Sequence, residues 1–163
     1  MDTTHTIITK SAQETQMVGE KLAASLMGDG EKHPHILCLY GELGSGKTTF
    51  TQGFAKGLGL SSRLLSPTFI IVRRYLLPAT QSFFYHVDLY RTKSEQDIKG
   101  LGLTEILSDP SAIVLIEWAE RLGTFLPKNR TDVAFEVVNE NERTIKVRSE
   151  HSENSEDSEN QKT

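Results

Sequence analysis

The chain has 163 residues, a length that fits one domain able to bury a hydrophobic core. Its formal net charge is −4, and residues 149–163, with five acids and one lysine, account for all of it. The rest is close to neutral, so the composition does not indicate a broadly basic nucleic-acid-binding surface. Cys38 is the single cysteine, which excludes an internal disulfide, and its apolar surroundings predict a buried, unreactive thiol.

Residues 1–10 lack the apolar segment of a secretion signal, and no stretch of sequence reaches membrane-spanning length. We therefore expect a cytosolic protein that does not associate with a membrane.

The first third of the chain predicts a helix, a strand and a second helix. Ser11 followed by Glu14 is typical of a capping box, and apolar residues then recur at helical spacing. We predict an amphipathic helix over residues 11–27, whose buried face includes Met17, Val18, Leu22 and Leu26, together with Ala23. The continuous apolar run at 36–40 predicts a buried strand, and residues 47–58 predict a helix after a Gly-rich turn.

The remainder predicts two hairpins around a second buried strand. Residues 69–77 and 81–90 are rich in aromatic and branched side chains and are separated by a turn, which favours a first hairpin. Ser94 with Asp97 indicates a helix start, and a short segment then runs to Asp109. The apolar run at 112–116 predicts a strand, and residues 132–138 and 144–148 predict the final hairpin. We therefore expect an α/β fold, in which a mixed, mainly parallel sheet is flanked by helices.

The end of the chain has a different composition. From residue 149 onward it is rich in Ser, Glu and Asn and has no apolar residue. Such a segment cannot bury enough surface to offset the entropy lost on ordering. We predict a single folded domain over residues 1–148 and a disordered acidic tail over 149–163.

Residues 41–48, Gly-Glu-Leu-Gly-Ser-Gly-Lys-Thr, match the phosphate-binding pattern G-x-x-x-x-G-K-[ST] in full. The match lies between a predicted buried strand and a predicted helix, as a P-loop requires. Glycines allow backbone N–H groups to point inward, and the helix N-terminus adds partial positive charge. Lys47 then reaches the β- and γ-phosphates, Thr48 offers a hydroxyl to Mg²⁺, and Thr49 can reach the α-phosphate. We expect a purine nucleoside triphosphate bound with Mg²⁺.

A metal in a P-loop also requires a carboxylate at the end of a neighbouring strand. Glu117 follows four apolar residues and is the favoured candidate for the metal. Asp88 ends another apolar segment and is the alternative. If Glu117 binds the metal, Asp88 is a candidate either to orient the attacking water or to lie just outside the metal's own ligands. Thr68, between the P-loop helix and the next strand, occupies a position where P-loop switches can sense the γ-phosphate, although a plain turn explains it equally well.

Three other residues or segments have competing interpretations. Residues 129–132, Asn-Arg-Thr-Asp, approximate a guanine-reading motif but do not follow a buried strand, so we expect adenine as the base. His86 lies beside aromatic residues, where packing is a commoner role than catalysis. Trp118 follows Glu117 and either borders the active edge or packs in the core.

Four motifs together resemble those of the TsaE family, small bacterial P-loop ATPases of tRNA threonylcarbamoyladenosine synthesis. They are Gly-Glu-Leu-Gly-Ser-Gly-Lys-Thr-Thr-Phe (41–50), Ser-Pro-Thr-Phe (66–69), His-Val-Asp-Leu-Tyr-Arg (86–91) and Ile-Glu-Trp (116–118). The resemblance extends from about Ser11 to Arg148. It implies an ATPase that works with TsaB and TsaD to modify adenosine 37 of ANN-decoding tRNAs, the transfer itself taking place on TsaD and ATP hydrolysis here resetting the complex. Because so short a chain has a full phosphate site and no evident pocket for a second substrate, we expect weak turnover alone and stimulation by the partners.

The resemblance also implies roles for individual residues. Thr48 and Glu117 would hold Mg²⁺, Asp88 would support hydrolysis and Thr68 would act as a switch residue. Thr15 would lie near the adenine, and Trp118 would flank the site and affect turnover. The phosphates would be bound by residues 43–49, that is Leu43, Gly44, Ser45, Gly46, Lys47, Thr48 and Thr49.

Two other functions are compatible with a P-loop. A nucleotide or metabolite kinase usually adds a lid with several arginines, whereas Arg73 and Arg74 form the only adjacent arginine pair here. A GTP-dependent switch depends on the weak motif at residues 129–132.

Overall fold

The residues that the structure describes fold around a seven-stranded sheet with helices on both faces. The structure is a computed structural model that describes residues 3–28, 35–61 and 71–150. The strands are β1 (Thr3–Thr9), β2 (His35–Tyr40), β3 (Val72–Leu76), β4 (Phe83–Asp88), β5 (Ile113–Glu117), β6 (Arg130–Val137) and β7 (Arg143–Glu150). The helices are α1 (Ala12–Gly28), α2 (Lys47–Gly57), α3 (Glu95–Lys99) and α4 (Leu103–Ser108), and a 3₁₀ segment covers Ala119–Phe125.

The strand order is β1-β7-β6-β2-β5-β4-β3. The four central strands, β6, β2, β5 and β4, are parallel to one another, and the outer pairs β1–β7, β6–β7 and β3–β4 are antiparallel. The predicted fold class, a mixed and mainly parallel sheet flanked by helices, is confirmed. Both predicted hairpins are present as β3–β4 and β6–β7.

Successive side chains of the central strands point to opposite faces of the sheet, and this alternation creates two hydrophobic layers. Leu37 and Leu39 of β2 face α1 and α2, where they join Phe50 and Phe54 in one cluster. Ile36 and Cys38 face the opposite side, toward α3, α4 and the 3₁₀ segment. Both faces of β2 are therefore buried, which explains why its sequence is continuously apolar rather than alternating. Burial raises the pKa of the Cys38 thiol to about 12, as expected for an unreactive cysteine.

Several helix boundaries agree with the signals in the sequence. At α1 the Ser11 half of the capping box forms, because Ser11 Oγ accepts from the Glu14 N–H at 3.1 Å. The Glu14 carboxylate accepts from the N–H of Lys10, one residue before the N-cap, at 2.5 Å. Ser94 caps α3 by accepting from the Asp97 N–H at 3.4 Å.

Two features of the N-terminal region differ from the sequence prediction or were absent from it. Met17 was expected on the buried face of α1 but is 46% exposed, because the stripe that packs most deeply is formed by Thr15, Gly19 and Ala23. β1 was not predicted, since most of its side chains are exposed and its sequence shows little apolar alternation.

At the C-terminal end the boundary of the predicted tail is wrong, because β7 includes residues 149 and 150. The rest of the predicted tail lies outside the described residues.

Helices α1 and α2 approach each other closely through glycines. A Cβ on Gly19 would overlap the backbone of Phe50, and a Cβ on Gly53 would overlap the carbonyl of Gln16. Only glycine allows this separation, since the obstructing atoms are backbone and cannot rotate away. The contact fixes α2, and with it the loop that precedes α2, against α1.

We predict that Gly53→Ala destabilises the fold by about 2 kcal/mol, because the added methyl group forces the two helix backbones apart. For a protein of this size the thermal midpoint should then fall by about 4–8 °C. Gly28→Ala is the matched control, since a Cβ at Gly28 meets no atom within 4 Å. Thermal unfolding followed by circular dichroism checks both variants, and equal midpoints would contradict the close-packing argument.

Candidate functional site

The candidate site lies at the carboxyl edge of the parallel strands. From the end of β2 the chain runs toward β3 at one edge of the sheet, whereas from the end of the neighbouring β6 it runs to β7 on the opposite side. Connections that diverge from adjacent parallel strands leave a crevice between them. A cleft of about 360 Å³ occupies this edge. It is lined by the Gly-rich loop, the start of α1, the ends of β4 and β5, and the β6–β7 hairpin.

The Gly-rich loop has the backbone conformation that its sequence predicts. Gly41, Gly44 and Gly46 have φ values of 147°, 78° and 108°, which residues with a Cβ rarely adopt. Gly46 precedes the first residue of α2 and has no side chain with which to cap the helix. The N–H groups of the first helical turn are consequently left for an anion.

Ser45 supplies a second indication that the loop accommodates a polar ligand. Its side chain is 1% exposed, and its Oγ has no hydrogen-bond partner among the described residues. A buried hydroxyl without a partner is costly. Phosphate oxygens bound in the loop are of the chemical type that would satisfy it.

Lys47 is drawn into the loop instead of extending into solvent. It is 5% exposed, and its Nζ donates to the carbonyls of Gly41 and, at 3.0 Å, Glu42. The ammonium also lies 4.0 Å from the ring centroid of Trp118, a cation–π contact. Burial lowers the pKa of Lys47, while nearby carboxylates, Glu120 first among them, oppose that shift. Its ammonium therefore lies against the loop that the sequence predicts to bind phosphates.

Glu117 is a buried carboxylate at the end of β5. It is 4% exposed, so its charge requires hydrogen-bond donors. Thr48 Oγ1 donates to Glu117 Oε1 at 3.3 Å, and His86 Nε2 lies 2.7 Å from Glu117 Oε2. The side chains predicted to bind Mg²⁺ are thus in contact. His86, which we expected to be a packing residue, is instead a partner of the favoured metal carboxylate.

Asp88 lies beside Glu117, because the two residues are paired in register at the ends of β4 and β5. Its Oδ1 accepts from the N–H of Tyr90 at 3.0 Å. Burial raises the pKa of Asp88 and the nearby Glu117 carboxylate adds to the shift, whereas the Tyr90 N–H opposes it. Two carboxylates in different hydrogen-bonding surroundings therefore face the same cleft.

These residues fit a Mg²⁺ ion that keeps several water ligands. Among residues 3–28, 35–61 and 71–150, no group of three His, Cys, Asp or Glu side chains could by itself hold a metal ion. Mg²⁺ usually takes one or two protein ligands together with water and phosphate oxygens. The contact between Thr48 and Glu117 matches that limited donor set.

The structure brings together ten of the eleven site residues predicted from the sequence. Thr68 and its motif at 66–69 lie outside the described residues. The ten that line the cleft are Thr15, Leu43, Gly44, Ser45, Gly46, Lys47, Thr48, Thr49, Asp88 and Glu117. Thr15 is 2% exposed, and its hydroxyl hydrogen-bonds to that of Thr9 at 2.8 Å. Their individual roles stay predictions.

Sequence analysis missed the contribution of the β6–β7 hairpin to the cleft. Glu140, Asn141 and Arg143 line it, and Arg143 donates to the Gly44 carbonyl at 3.4 Å. The hairpin itself was predicted, but its position beside the loop follows from β6 pairing with β2, and strand order could not be derived from the sequence. Tyr90 also lines the cleft. It lies in the motif at 86–91, but the sequence analysis did not predict a function for it.

Trp118 both borders the cleft and packs against the second hydrophobic cluster. Each of the two alternatives considered for it is therefore partly right. Its φ of 60° is unusual for a residue with a side chain. The ring also lies 5.1 Å from that of Tyr90, so the mouth of the cleft is aromatic.

The residues that line the cleft do not include Asn129 or Asp132 of the apparent guanine motif. The carboxylate of Asp132 instead accepts from Tyr40 Oη at 3.0 Å and from Arg130 Nε at 2.9 Å. These contacts give Asp132 a place in the sheet rather than in base recognition.

No helix in the part of the chain that the structure describes is long and apolar enough to cross a lipid bilayer.

Comparison with known proteins gives a consistent result. A family model described as "Threonylcarbamoyl adenosine biosynthesis protein TsaE" matches residues 9–145. A protein of Bacillus subtilis with the name "tRNA threonylcarbamoyladenosine biosynthesis protein TsaE" is 37% identical over 140 residues, covering 84% of this chain and 80% of the relative. The Treponema pallidum protein of the same name is 32% identical and covers 86% of this chain and 97% of its own length.

A solved structure supports the same relationship. The crystal structure of Bacillus subtilis YdiB matches with a TM-score of 0.73 and 30% identity, covering 93% of this chain and 88% of that one. The family model covers most of the chain, and the two relatives are matched over 80% and 97% of their own length. This chain therefore belongs to the TsaE family.

Proposed function

We propose that this protein binds ATP with Mg²⁺ in the cleft and hydrolyses it as a subunit of the machinery that forms threonylcarbamoyladenosine at position 37 of ANN-decoding tRNAs. The observation that carries the proposal is the meeting of Lys47, Thr48 and Glu117 at one edge of the sheet. The names of the family and of its relatives support the place in tRNA modification. They do not favour the alternative of a nucleotide or metabolite kinase.

Triphosphate binding would use groups that the loop already presents. The backbone N–H groups at the start of α2 and the hydroxyls of Ser45 and Thr49 provide neutral donors, and Lys47 provides the positive charge. Lys47 would exchange its bonds to the Gly41 and Glu42 carbonyls for bonds to phosphate. Thr15, at the α1 side of the cleft, is the candidate neighbour of the adenine.

Hydrolysis assigns different tasks to the two carboxylates. Thr48 and Glu117 would hold Mg²⁺, which neutralises phosphate charge when it is bound. Asp88 would orient the attacking water, and its raised pKa favours acceptance of a proton more than that of an ordinary aspartate would. Thr68 is retained as a proposed switch residue on the family resemblance alone.

The proposal extends to partners and location. TsaB and TsaD are the proposed partners, and tRNA would be engaged indirectly through the complex. The threonylcarbamoyl transfer would occur on TsaD, with ATP hydrolysis here resetting the assembly. Since tRNA is the molecule finally modified, we propose that the protein acts in the cytoplasm.

Replacement of Lys47 tests the phosphate site. Lys47→Ala should reduce ATP affinity at least about 100-fold, because the buried cation that faces the phosphates is lost. Lys56→Ala is the matched control, since Lys56 lies on the same helix with its side chain 69% exposed. Isothermal titration with a non-hydrolysable ATP analogue measures both, and unchanged affinity in Lys47→Ala would contradict the assignment.

Replacement of each carboxylate separates their roles. Glu117→Ala should weaken Mg²⁺-dependent hydrolysis more than nucleotide binding, because the metal loses its protein carboxylate. Asp88→Ala should slow turnover but keep its dependence on Mg²⁺. Phosphate release measured across a Mg²⁺ titration distinguishes them; loss of metal dependence in Asp88→Ala alone would mean that the two roles are exchanged.

Addition of partners tests the accessory role. The protein alone should release phosphate slowly, and TsaB with TsaD should accelerate release by about tenfold or more, as expected when a partner completes or orders a catalytic site. Preference for ATP over GTP is measured in the same assay. Rapid hydrolysis that the partners leave unchanged would contradict the accessory role, while transfer of phosphate to a nucleoside or metabolite would restore the kinase alternative.

A further inference from the structure

The hydrogen bond between His86 and Glu117 is built into the sheet. Its length is 2.7 Å, and the two side chains are only 15% and 5% exposed. His86 is opposite Leu115 in the β4–β5 register, so Glu117 is its diagonal neighbour on the same face of the sheet. The contact is therefore determined by the pairing of two central strands and not by a loop.

The chemistry of the two groups determines the direction of the bond. An ionised carboxylate can only accept hydrogen bonds, so His86 must donate from Nε2. Glu117 then has both oxygens committed, with Oε2 bonded to His86 and Oε1 facing the hydroxyl of Thr48 at 3.3 Å. Rotation of the carboxylate away from Thr48 would break the bond to His86.

We propose that His86 is a positioning residue, which holds Glu117 so that Oε1 and the Thr48 hydroxyl face the same Mg²⁺. The inference rests on the proposed function, because it concerns the metal of the proposed nucleotide site. Groups that hydrogen-bond to a metal ligand fix its orientation, and their loss commonly weakens metal binding by about 10- to 100-fold. His86 would act through Glu117 and would not contact the nucleotide.

The test compares a variant that retains the donor with one that removes it. His86→Gln keeps an N–H group at a similar reach, whereas His86→Leu fills similar space without a donor. His5→Leu is the matched control, because His5 is an exposed histidine on the edge strand β1. If the Leu variant fails to fold, as judged by its thermal midpoint, His86→Asn replaces it, since that shorter amide cannot reach Glu117.

The measurement is a Mg²⁺ titration of the protein with a non-hydrolysable ATP analogue, followed by fluorescence. Trp118 is the single tryptophan and directly follows Glu117, so its emission reports on this site without an added probe. His86→Leu should require about tenfold more Mg²⁺ for half-maximal response than the wild-type protein, because Glu117 is no longer held in the orientation that binds the metal. His86→Gln and His5→Leu should match the wild type, and binding of the analogue without Mg²⁺ should be equal in all four proteins.

Different failures identify different errors. A wild-type protein that binds the analogue without any influence of Mg²⁺ would overturn the proposed metal site, and the inference with it. A normal Mg²⁺ response in His86→Leu would overturn the inference alone. If His86→Gln binds Mg²⁺ normally but hydrolyses ATP as poorly as His86→Leu, the imidazole takes part in proton transfer and positioning is the wrong description.

Discussion

A carboxylate buried at the end of a strand must be surrounded by donors, and the candidate site depends on how this requirement is met at Glu117. Its position at the carboxyl end of β5 places it beside the loop that follows β2. Its partners come from two different elements, Thr48 from α2 and His86 from β4. The same contacts that satisfy a buried charge therefore also fix three elements relative to one another around the cleft.

The α1–α2 contact extends this constraint away from the sheet. Gly19 and Gly53 allow the two helices to pack with their backbones in direct contact, so α2 has little freedom to shift. Thr48 and Thr49 lie in the first turn of α2 and inherit that rigidity. Thr15, in the second turn of α1, is brought beside Gly46 for the same reason, with its Cγ2 3.7 Å from where a Cβ on Gly46 would lie. Packing far from the chemistry thus sets the width of the cleft.

Much of the fold, and the placement of most candidate site residues, could be predicted because the signals are local. The buried strand, the Gly-rich turn and the helix after it are contiguous, and the P-loop pattern specifies residue types at fixed spacing. Glu117 could be predicted because an acid after four apolar residues marks a strand end beside the loop. The residues predicted from these local signals, those of the Gly-rich loop and Glu117, all line the cleft.

The features that escaped prediction depend on strand order, which no local pattern encodes. His86 was interpreted as a packing residue because its aromatic neighbours are local, whereas Glu117, its actual partner, is 31 positions away along the chain. Arg143 reaches the loop because β6 pairs with β2 and turns back at residues 139–142. β1 adds a strand to the far side of that hairpin with almost no apolar signal of its own.

The position of Lys47 connects this architecture to ligand binding. Its ammonium is withdrawn from water and bonded to carbonyls of the loop that it is expected to serve. Those bonds already offset part of the free-energy cost of removing the ammonium from water. A phosphate bound in the loop would therefore replace the carbonyl partners of Lys47 and would not meet an unpaired cation. The net gain from the lysine is therefore smaller than the strength of an isolated ammonium–phosphate bond. The buried hydroxyl of Ser45, by contrast, has no partner among the described residues to give up when it bonds to a phosphate oxygen.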